Sequence, residues 1–391
     1  FLMIPYGRQN INKEDIESVI EVMESDFLTQ GPVTPLFEKE LESFCNAKYA
    51  VATINATSAL HLACLSIGIS KGDLVWTSPI SFVASANCVK YCGGEIDFVD
   101  IDPLTYNISI DCLENKLVQA KKKNKLPKAI IPVHLSGQSC DMEKIAKLSE
   151  IYGFKIIEDA SHAIGGEYKG IPVGSCQFSD ITVFSFHPVK IITTCEGGAC
   201  LTNNKEIYEK IYNLRSHGIV RNQKDMLNKK EGSWYYEQKY LGFNYRLNDL
   251  QSALGINQIK RLTTFIKKRH QIVSLYNELF ENNENVITPY QHEKSFSSFH
   301  LYIIKVSNKE GFNRKEIFEK LRELGYQVNV HYIPIYRQPF FSNKFKKEDY
   351  PSSEDYYSKA ISLPIFPYLE KKDIKNVVDI INNKINYQHI F

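Results

Sequence analysis

The 391-residue chain has no run of 18 apolar residues and nothing that reads as a signal peptide, so a membrane-embedded protein is not expected. It has almost no net charge either: 47 Lys and Arg stand against 45 Asp and Glu, a formal +2. No basic stripe with interleaved aromatics disturbs that balance, which leaves no footprint for a nucleic acid or another polyanion. The nine cysteines are odd in number and scattered through apolar segments. That argues against a disulfide framework and for a reducing compartment, so a cytoplasmic location is expected, with Met3 as the true start. Cys88 and Cys92 share one helix face, but no second pair or histidine spacing completes a zinc site, so no metal is expected and all nine read as buried thiols. No internal repeat appears. What remains is an ordinary globule, 43% hydrophobic and 24% charged, long enough for two domains within one continuous fold.

Apolar and β-branched runs at 49–54, 74–77, 95–100, 129–134, 155–159 and 181–184 read as strands, each ending in polar residues. They alternate with helical patterns at intervals that suit βαβ crossovers, so the expected class is α/β, a mostly parallel sheet with helices on both faces. Ahead of it, Ile16, Val19, Ile20 and Met23 repeat at helical spacing, and a turn at 28–32 precedes a second helix at 35–45. That turn is either a connector or a place where Thr29 and Gln30 face a ligand. The lysine run at 121–125 reads as a solvated face, and the polar stretch 221–239 as a long surface loop. Helices at 250–260 and 266–280, a strand at 300–306, a helix at 314–324, a strand at 327–331 and a C-terminal helix then suggest a smaller α+β unit.

Ligands of open α/β sheets collect at the carboxyl ends of strands, and three stretches place chemistry there. Ser185-Phe186-His187-Pro188-Val189-Lys190 puts one lysine between a hydroxyl residue and Gly197-Gly198, where backbone can approach a small molecule. Lys190 is either a surface charge or a Schiff-base amine carrying pyridoxal phosphate. Asp159 closes an otherwise buried strand; it is either a helix cap or the partner of a cation such as a pyridinium nitrogen. Thr57 and Ser58 stand at a helix amino terminus, as caps, as phosphate ligands, or as both. Phe82 is either core or a ring that stacks on a planar cofactor.

Taken in order, Leu28-Thr29-Gln30-Gly31, Asn55-Ala56-Thr57-Ser58-Ala59, Glu158-Asp159-Ala160-Ser161-His162, the Lys190 stretch, Glu196-Gly197-Gly198, Arg215-Ser216-His217-Gly218 and Gly242-Phe243-Asn244-Tyr245-Arg246-Leu247 resemble the sugar aminotransferases of pyridoxal-phosphate fold type I. The resemblance spans nearly the whole chain. It implies a large cofactor-binding domain over residues 1–257, whose N-terminal segment can pack on a small C-terminal α+β domain over 258–391, and a homodimer. It makes Lys190 the Schiff-base lysine and proton carrier, Asp159 the pyridinium partner, and Phe82 the stacking ring. Thr57, Ser58 and Ser185 correspond to phosphate ligands, and Asn244 to a ligand supplied across the dimer interface to the partner's cofactor. His162 falls near the cofactor's phenolic oxygen; Tyr6, Thr29, His331 and Tyr332 fall where the nucleotide sugar is held.

Within that family, Ser161-His162, His187-Pro188-Val189-Lys190 and Thr193-Thr194-Cys195-Glu196-Gly197-Gly198 are most similar to one branch. That branch moves an amino group from L-glutamate to C4 of a UDP-linked 4-keto-6-deoxy-N-acetylhexosamine in pseudaminic-acid-type biosynthesis. The alternatives are a C4 or C3 aminotransferase of another nucleotide-linked keto sugar, of the legionaminic, bacillosamine or perosamine type, and a non-catalytic scaffold on the same fold. A sugar dehydratase would, by the resemblance, carry histidine in place of Lys190. Two departures stand out: Cys195 where Gly or Ala is common, and a longer 221–239 loop in the region of substrate recognition.

Overall fold

The computed structural model describes residues 3–222, 224, 226–228, 232–307, 309 and 312–382. Two helices open it, α1 Lys13–Met23 and α2 Val33–Cys45, followed by the seven strands of one sheet. These are β1 Tyr49–Thr53, β2 Leu74–Thr77, β3 Glu95–Phe98, β4 Ala129–Ile131, β5 Lys155–Asp159, β6 Ile181–Ser185 and β7 Gly198–Thr202. Across the sheet the order is β1-β7-β6-β5-β4-β2-β3. Only β7 runs against its neighbours; the other pairings are parallel. Helices α3 Ala56–Ser66, α4 Ala84–Tyr91, α5 Ile110–Lys122 and α6 Met142–Tyr152 make the crossovers between parallel strands.

Alternate residues of each strand serve opposite faces. Val51, Val75, Ile131, Ile157 and Val183 pack beneath Leu60 and Ala63 of α3 and Ala86 and Val89 of α4. Their neighbours point the other way: Ala50, Ala52 and Phe184 join Phe37 and Leu41 of α2, while Trp76, Ile130 and Ile156 join Leu113, Leu117, Ile145 and Leu148. Because both faces are covered, these strands read as continuous apolar runs rather than alternating ones.

After β7 come α7 Lys205–Arg215 and α8 Asp249–Phe280, then β8 Tyr302–Val306, α9 Arg314–Glu323, α10 Pro351–Lys359, β9 Ala360–Leu363 and α11 Lys371–Ile381. A second core forms where Ile272, Val273, Tyr276 and Phe280 of α8 meet the antiparallel pair β8–β9 and Ile374, Val377 and Val378 of α11. The N-terminal pair Ile4–Pro5 lies parallel to Tyr326–Gln327 and packs Ile4 on this core.

Several expectations need correction. The two helices at 250–260 and 266–280 are one, and the expected border between residues 257 and 258 falls inside it. The strand at 327–331 shrinks to Tyr326–Gln327, with a single further bridge from Asn329 to Ser362. Helix α10 and strand β9 had no sequence signal strong enough to be expected. The apolar stripe of α1 does not face the core: Ile16, Ile20 and Met23 are 53%, 46% and 64% exposed, whereas Asp15 and Val22 are buried. Cys112 and Cys195 are exposed and Cys92 is partly so, which leaves six buried thiols rather than nine. The loop 221–239 lies partly outside the described residues; its flanks, Ile219–Val220 and Glu237–Gln238, pair as antiparallel strands. Among the described residues no helix is long and apolar enough to cross a membrane, and no His, Cys, Asp and Glu grouping is arranged to hold a metal ion.

Candidate active site

The Lys190 stretch is a link between β6 and its antiparallel neighbour β7, pinned at both ends. Phe186 donates its N–H to Gly197 O at 2.9 Å, and its own carbonyl accepts from Thr194 N and Thr193 Oγ1, both at 3.0 Å. Lys190 N closes a turn onto His187 O at 2.8 Å, and Cys195 adopts the left-handed conformation with φ 66°. The position of Cys195 is therefore one that favours glycine. Gly198 has a different reason from the one expected. A Cβ there would stand 2.5 Å from Ala56 N, so the glycine makes room for the start of α3 rather than for a ligand.

That close approach assembles one corner of the site. Gly198 pairs with Ser185 on one side and Thr53 on the other, which brings the amino terminus of α3 beside Ser185. The cap is Asn55, whose side chain accepts from Ser58 N at 2.8 Å. Thr57 and Ser58 are thus not caps, and their hydroxyls face no capping demand at a helix end that carries positive potential.

Asp159 ends β5 with 5% exposure, and its carboxylate is fixed by neighbours. Oδ2 accepts from Ser85 Oγ at 2.6 Å, and Ser85 Oγ is itself 2.6 Å from Ser81 Oγ. Oδ1 accepts from Ser161 Oγ at 2.6 Å and Ser161 N at 3.2 Å. Lys190 is half-buried, not a free surface charge. Burial pushes its amine down to about 8, a fall that the Asp159 charge partly opposes.

Around this pair stand three buried histidines. His162 has Ser136 N–H directed at Nδ1 (3.3 Å) and Tyr332 Oη at Nε2 (2.9 Å). Burial, with Lys190 and His331 adding like charge, holds His162 well below its ordinary value. The neutral ring must then carry its proton on Nε2 and donate to Tyr332, which leaves the tyrosine proton free to point elsewhere. His331 is lowered to about 3 by burial and by Lys190, and its Nδ1 lies 2.8 Å from Ser362 Oγ. The His300 ring lies 4.4 Å from that of His162 at a tilt of 49°, with Nδ1 buried and without a hydrogen-bond partner.

Most of the expected residues therefore meet. Tyr6 rests edge-on against His331 at 4.8 Å, and Phe82, 59% exposed and so not core, lies 6.3 Å from Tyr332. Thr29 does not join them: it is exposed, in a turn whose Gly31 is needed because a Cβ would strike Asp249 Oδ2 at 2.3 Å. Asn244 is exposed and bridges to Ser216 in its own chain. Sequence reasoning missed Ser81, Ser85, Ser136 and His300. Ser85 had a signal, since it lies one helical turn beyond Phe82, but hydroxyls in helices are too common to single out. A cavity of about 980 Å³ opens elsewhere, between Thr34, Arg215, His217, Tyr240 and Arg246, and includes neither Lys190 nor Asp159.

The chain as a whole, with this lysine and carboxylate at the carboxyl edge of its sheet, is similar to known proteins over nearly its full length. A transaminase for UDP-4-amino-4,6-dideoxy-N-acetyl-β-L-altrosamine from Campylobacter jejuni is 39% identical over 377 residues, covering 96% of each chain. The solved structure of Helicobacter pylori PseC, an aminotransferase involved in the biosynthesis of pseudaminic acid, superposes with a TM-score of 0.89 at 35% identity, over 97% of this chain and 98% of that one. The pyridoxal-phosphate form of a sugar aminotransferase from Streptococcus pneumoniae superposes at 0.87 and 26% identity, over 98% of this chain and 100% of that one. With residues 9–382 also matching the family's own sequence model, the chain belongs to the DegT/DnrJ/EryC1/StrS aminotransferase family.

Proposed function

We propose that this chain binds pyridoxal phosphate at Lys190 and transfers the amino group of L-glutamate to the C4 keto group of a UDP-linked 4-keto-6-deoxy-N-acetylhexosamine. The observation that carries the reading is the pairing of Lys190, lowered to about 8, with an Asp159 carboxylate pinned by Ser85 and Ser161. The residues present suit the cofactor: a buried carboxylate for a cationic ring nitrogen, the amino terminus of α3 with Thr57, Ser58 and Ser185 for a phosphate, and the exposed Phe82 ring for a planar face. When bound, pyridoxal phosphate supplies an electron sink for the amino acid's α-carbon.

The chain's own groups do the rest. Lys190 Nζ, with basicity near neutral pH, takes a proton from carbon and returns it. Asp159 holds positive charge on the ring nitrogen, and its serine partners keep it from turning away. His162, held neutral, donates through Nε2 to Tyr332 Oη and fixes that hydroxyl toward the acceptor. Tyr6, His331 and Tyr332 form one wall for the sugar, supported by the edge-on contact of Tyr6 with His331. A homodimer completes the reading: Asn244 is exposed, and Ile16, Ile20, Met23, Phe27 and Leu28 leave an apolar strip uncovered on one chain.

Visible absorption spectroscopy tests this directly. Purified protein incubated with pyridoxal phosphate should turn yellow, and L-glutamate should discharge the band. Lys190→Ala should show no lysine-bound band and lose more than roughly 10³-fold in turnover while keeping its far-UV circular dichroism. A chain that stays colourless, or a variant with full turnover, would overturn the assignment. Offering UDP- and GDP-linked 4-keto sugars to the amine-loaded enzyme then decides the acceptor.

A further inference from the structure

The middle of α8 buries a positive charge that no carboxylate answers. Arg269 lies between Phe265 and Ile266, which pack into the core of the sheet, and Ile272 and Val273, which pack into the C-terminal core. It is 0% exposed. Burial pushes its guanidinium down to about 10, so the charge persists at neutral pH. Among the described residues no Asp or Glu pairs with it. Nη1 instead donates to three carbonyls, Phe299 O at 3.1 Å, His300 O at 3.3 Å and Ile365 O at 3.1 Å, while Nε and Nη2 are buried without a partner. A charge held this way costs more than the apolar side chain that packing alone would call for. Resting on the acceptor reading above, we propose that Arg269 is a positioning residue for the amino-acceptor step: one nitrogen ties together the two segments that set the sugar wall and the His162–Tyr332 pair.

The first segment is behind the wall. Ile365, whose carbonyl Arg269 holds, donates its own N–H to Tyr6 O at 2.9 Å. Tyr6 rests edge-on against His331, so the bond to Ile365 O fixes the backbone on which that wall stands. The second segment backs His162. Phe299 is left-handed with φ 47°, a conformation that a residue with a Cβ keeps only where its neighbours hold it. On either side of it, Ser298 Oγ donates to His162 O at 3.0 Å, Ser298 N to Gly137 O at 3.2 Å and Leu301 N to Ser136 O at 3.4 Å. Ser136 N–H is the donor directed at His162 Nδ1, and the His300 ring lies beside that of His162.

Losing the Arg269 bonds would leave three buried carbonyls without a donor, which favours movement of both segments. The loss stays local, because Tyr276 Oη, two turns further along α8, holds Pro364 O at 3.1 Å. The geometry also says which substitute should work. Nη1 has two hydrogens for three carbonyls, and the other two nitrogens contribute no bond. A lysine ammonium, with three donors and the same charge, can serve the same group.

The test compares Arg269→Met with Arg269→Lys in the full chain, and hydrogen–deuterium exchange is read first. In Arg269→Met the amides of Ser298, Leu301 and Ile365 should exchange roughly tenfold faster while those of β5 and α3 keep the parent's rates, and Arg269→Lys should restore protection. With substrates, the KM for the UDP-linked keto sugar should rise roughly tenfold in Arg269→Met, while the rate at which L-glutamate discharges the yellow band stays within about twofold. Exchange equal to the parent's, loss of protection spread evenly over β5 and α3, equal losses in both half-reactions, or a lysine variant no better than methionine would each overturn the proposal. Should Arg269→Met lack a cooperative melt, Arg269→Gln, which drops the charge and shortens the reach, is judged in its place by the same outcomes. A parent that neither takes an amine from L-glutamate nor passes it to this sugar refutes the functional reading instead, and exchange still decides whether Arg269 holds the two segments.

Discussion

Lys190 is a group whose chemistry and folding cost have the same origin. Its amine is lowered from 10.5 to about 8 in the folded chain, first by burial. Between those values the unfolded chain holds a proton that the folded chain does not, so stability rises as pH rises through this window. Below about 8 the folded protein carries a desolvated ammonium, and that cost is present in full. In the cofactor-free protein, Lys190→Met should therefore raise Tm by roughly 2–4 °C at pH 7, and the gain should shrink toward zero by pH 10. Melting curves at both pH values check this; an equal gain at both would mean that the charge of Lys190 is not what the fold resists. Legibility at this scale was uneven. Lys190 and Asp159 could be read because their motifs, taken in order with the others, resemble one family; alone, a lysine after a strand reads as a surface charge and an aspartate at a strand end as a cap. Ser85 and Ser136 could not, because a hydroxyl or a backbone N–H acquires its role only from what the fold sets opposite it. The same holds for Glu158, which faces away from Asp159 and accepts from Thr182 Oγ1 at 2.9 Å and meets His134 Nε2 at 2.6 Å.

At the scale of elements, the inner strands of the main sheet were readable because burial on both faces makes them largely apolar runs, and edge strand β3, Glu95–Phe98, because it alternates charged and apolar residues. Strand β9 and helix α10 were not, since Ala360–Leu363 is short and α10 is held by a distant residue. Asp100, just beyond β3, accepts from Ser352 N at 2.9 Å and Ser353 N at 3.0 Å and so caps α10 from 252 residues away in sequence. No local pattern contains that information. The contact between β7 and α3 is the element-level feature on which the candidate phosphate corner depends. Gly198→Ala places a methyl 2.5 Å from backbone that has little room to retreat, and should cost about 1–3 kcal/mol. Urea melts would measure the loss, and pyridoxal phosphate titration should show weaker binding in the same variant. Unaltered stability and affinity would mean that α3 can shift without consequence.

At the scale of the whole molecule, the α/β class and the smaller C-terminal α+β unit were legible from the order of patterns, but the way they join was not. The uncovered strip on α1 and the turn after it, from Ile16 to Leu28, sets helical periodicity against burial. A second copy of the chain, as in the proposed homodimer, would resolve the mismatch. Light scattering should give twice the mass of one chain, and Ile20→Glu, at an exposed position, should shift the species toward the monomer by at least tenfold in dissociation constant. A monomeric parent would refute the dimer, and an unmoved variant would place its interface elsewhere. Helix α8 carries a different consequence. Its first half supplies Ile259, Leu262, Phe265 and Ile266 to the core of the sheet, and its second half supplies Ile272, Val273, Tyr276 and Phe280 to the C-terminal core. The helix is a party wall. Severing the chain at residue 257 would strip each side of a surface it was built against, so the two units are not separable parts for dissection, fusion or exchange.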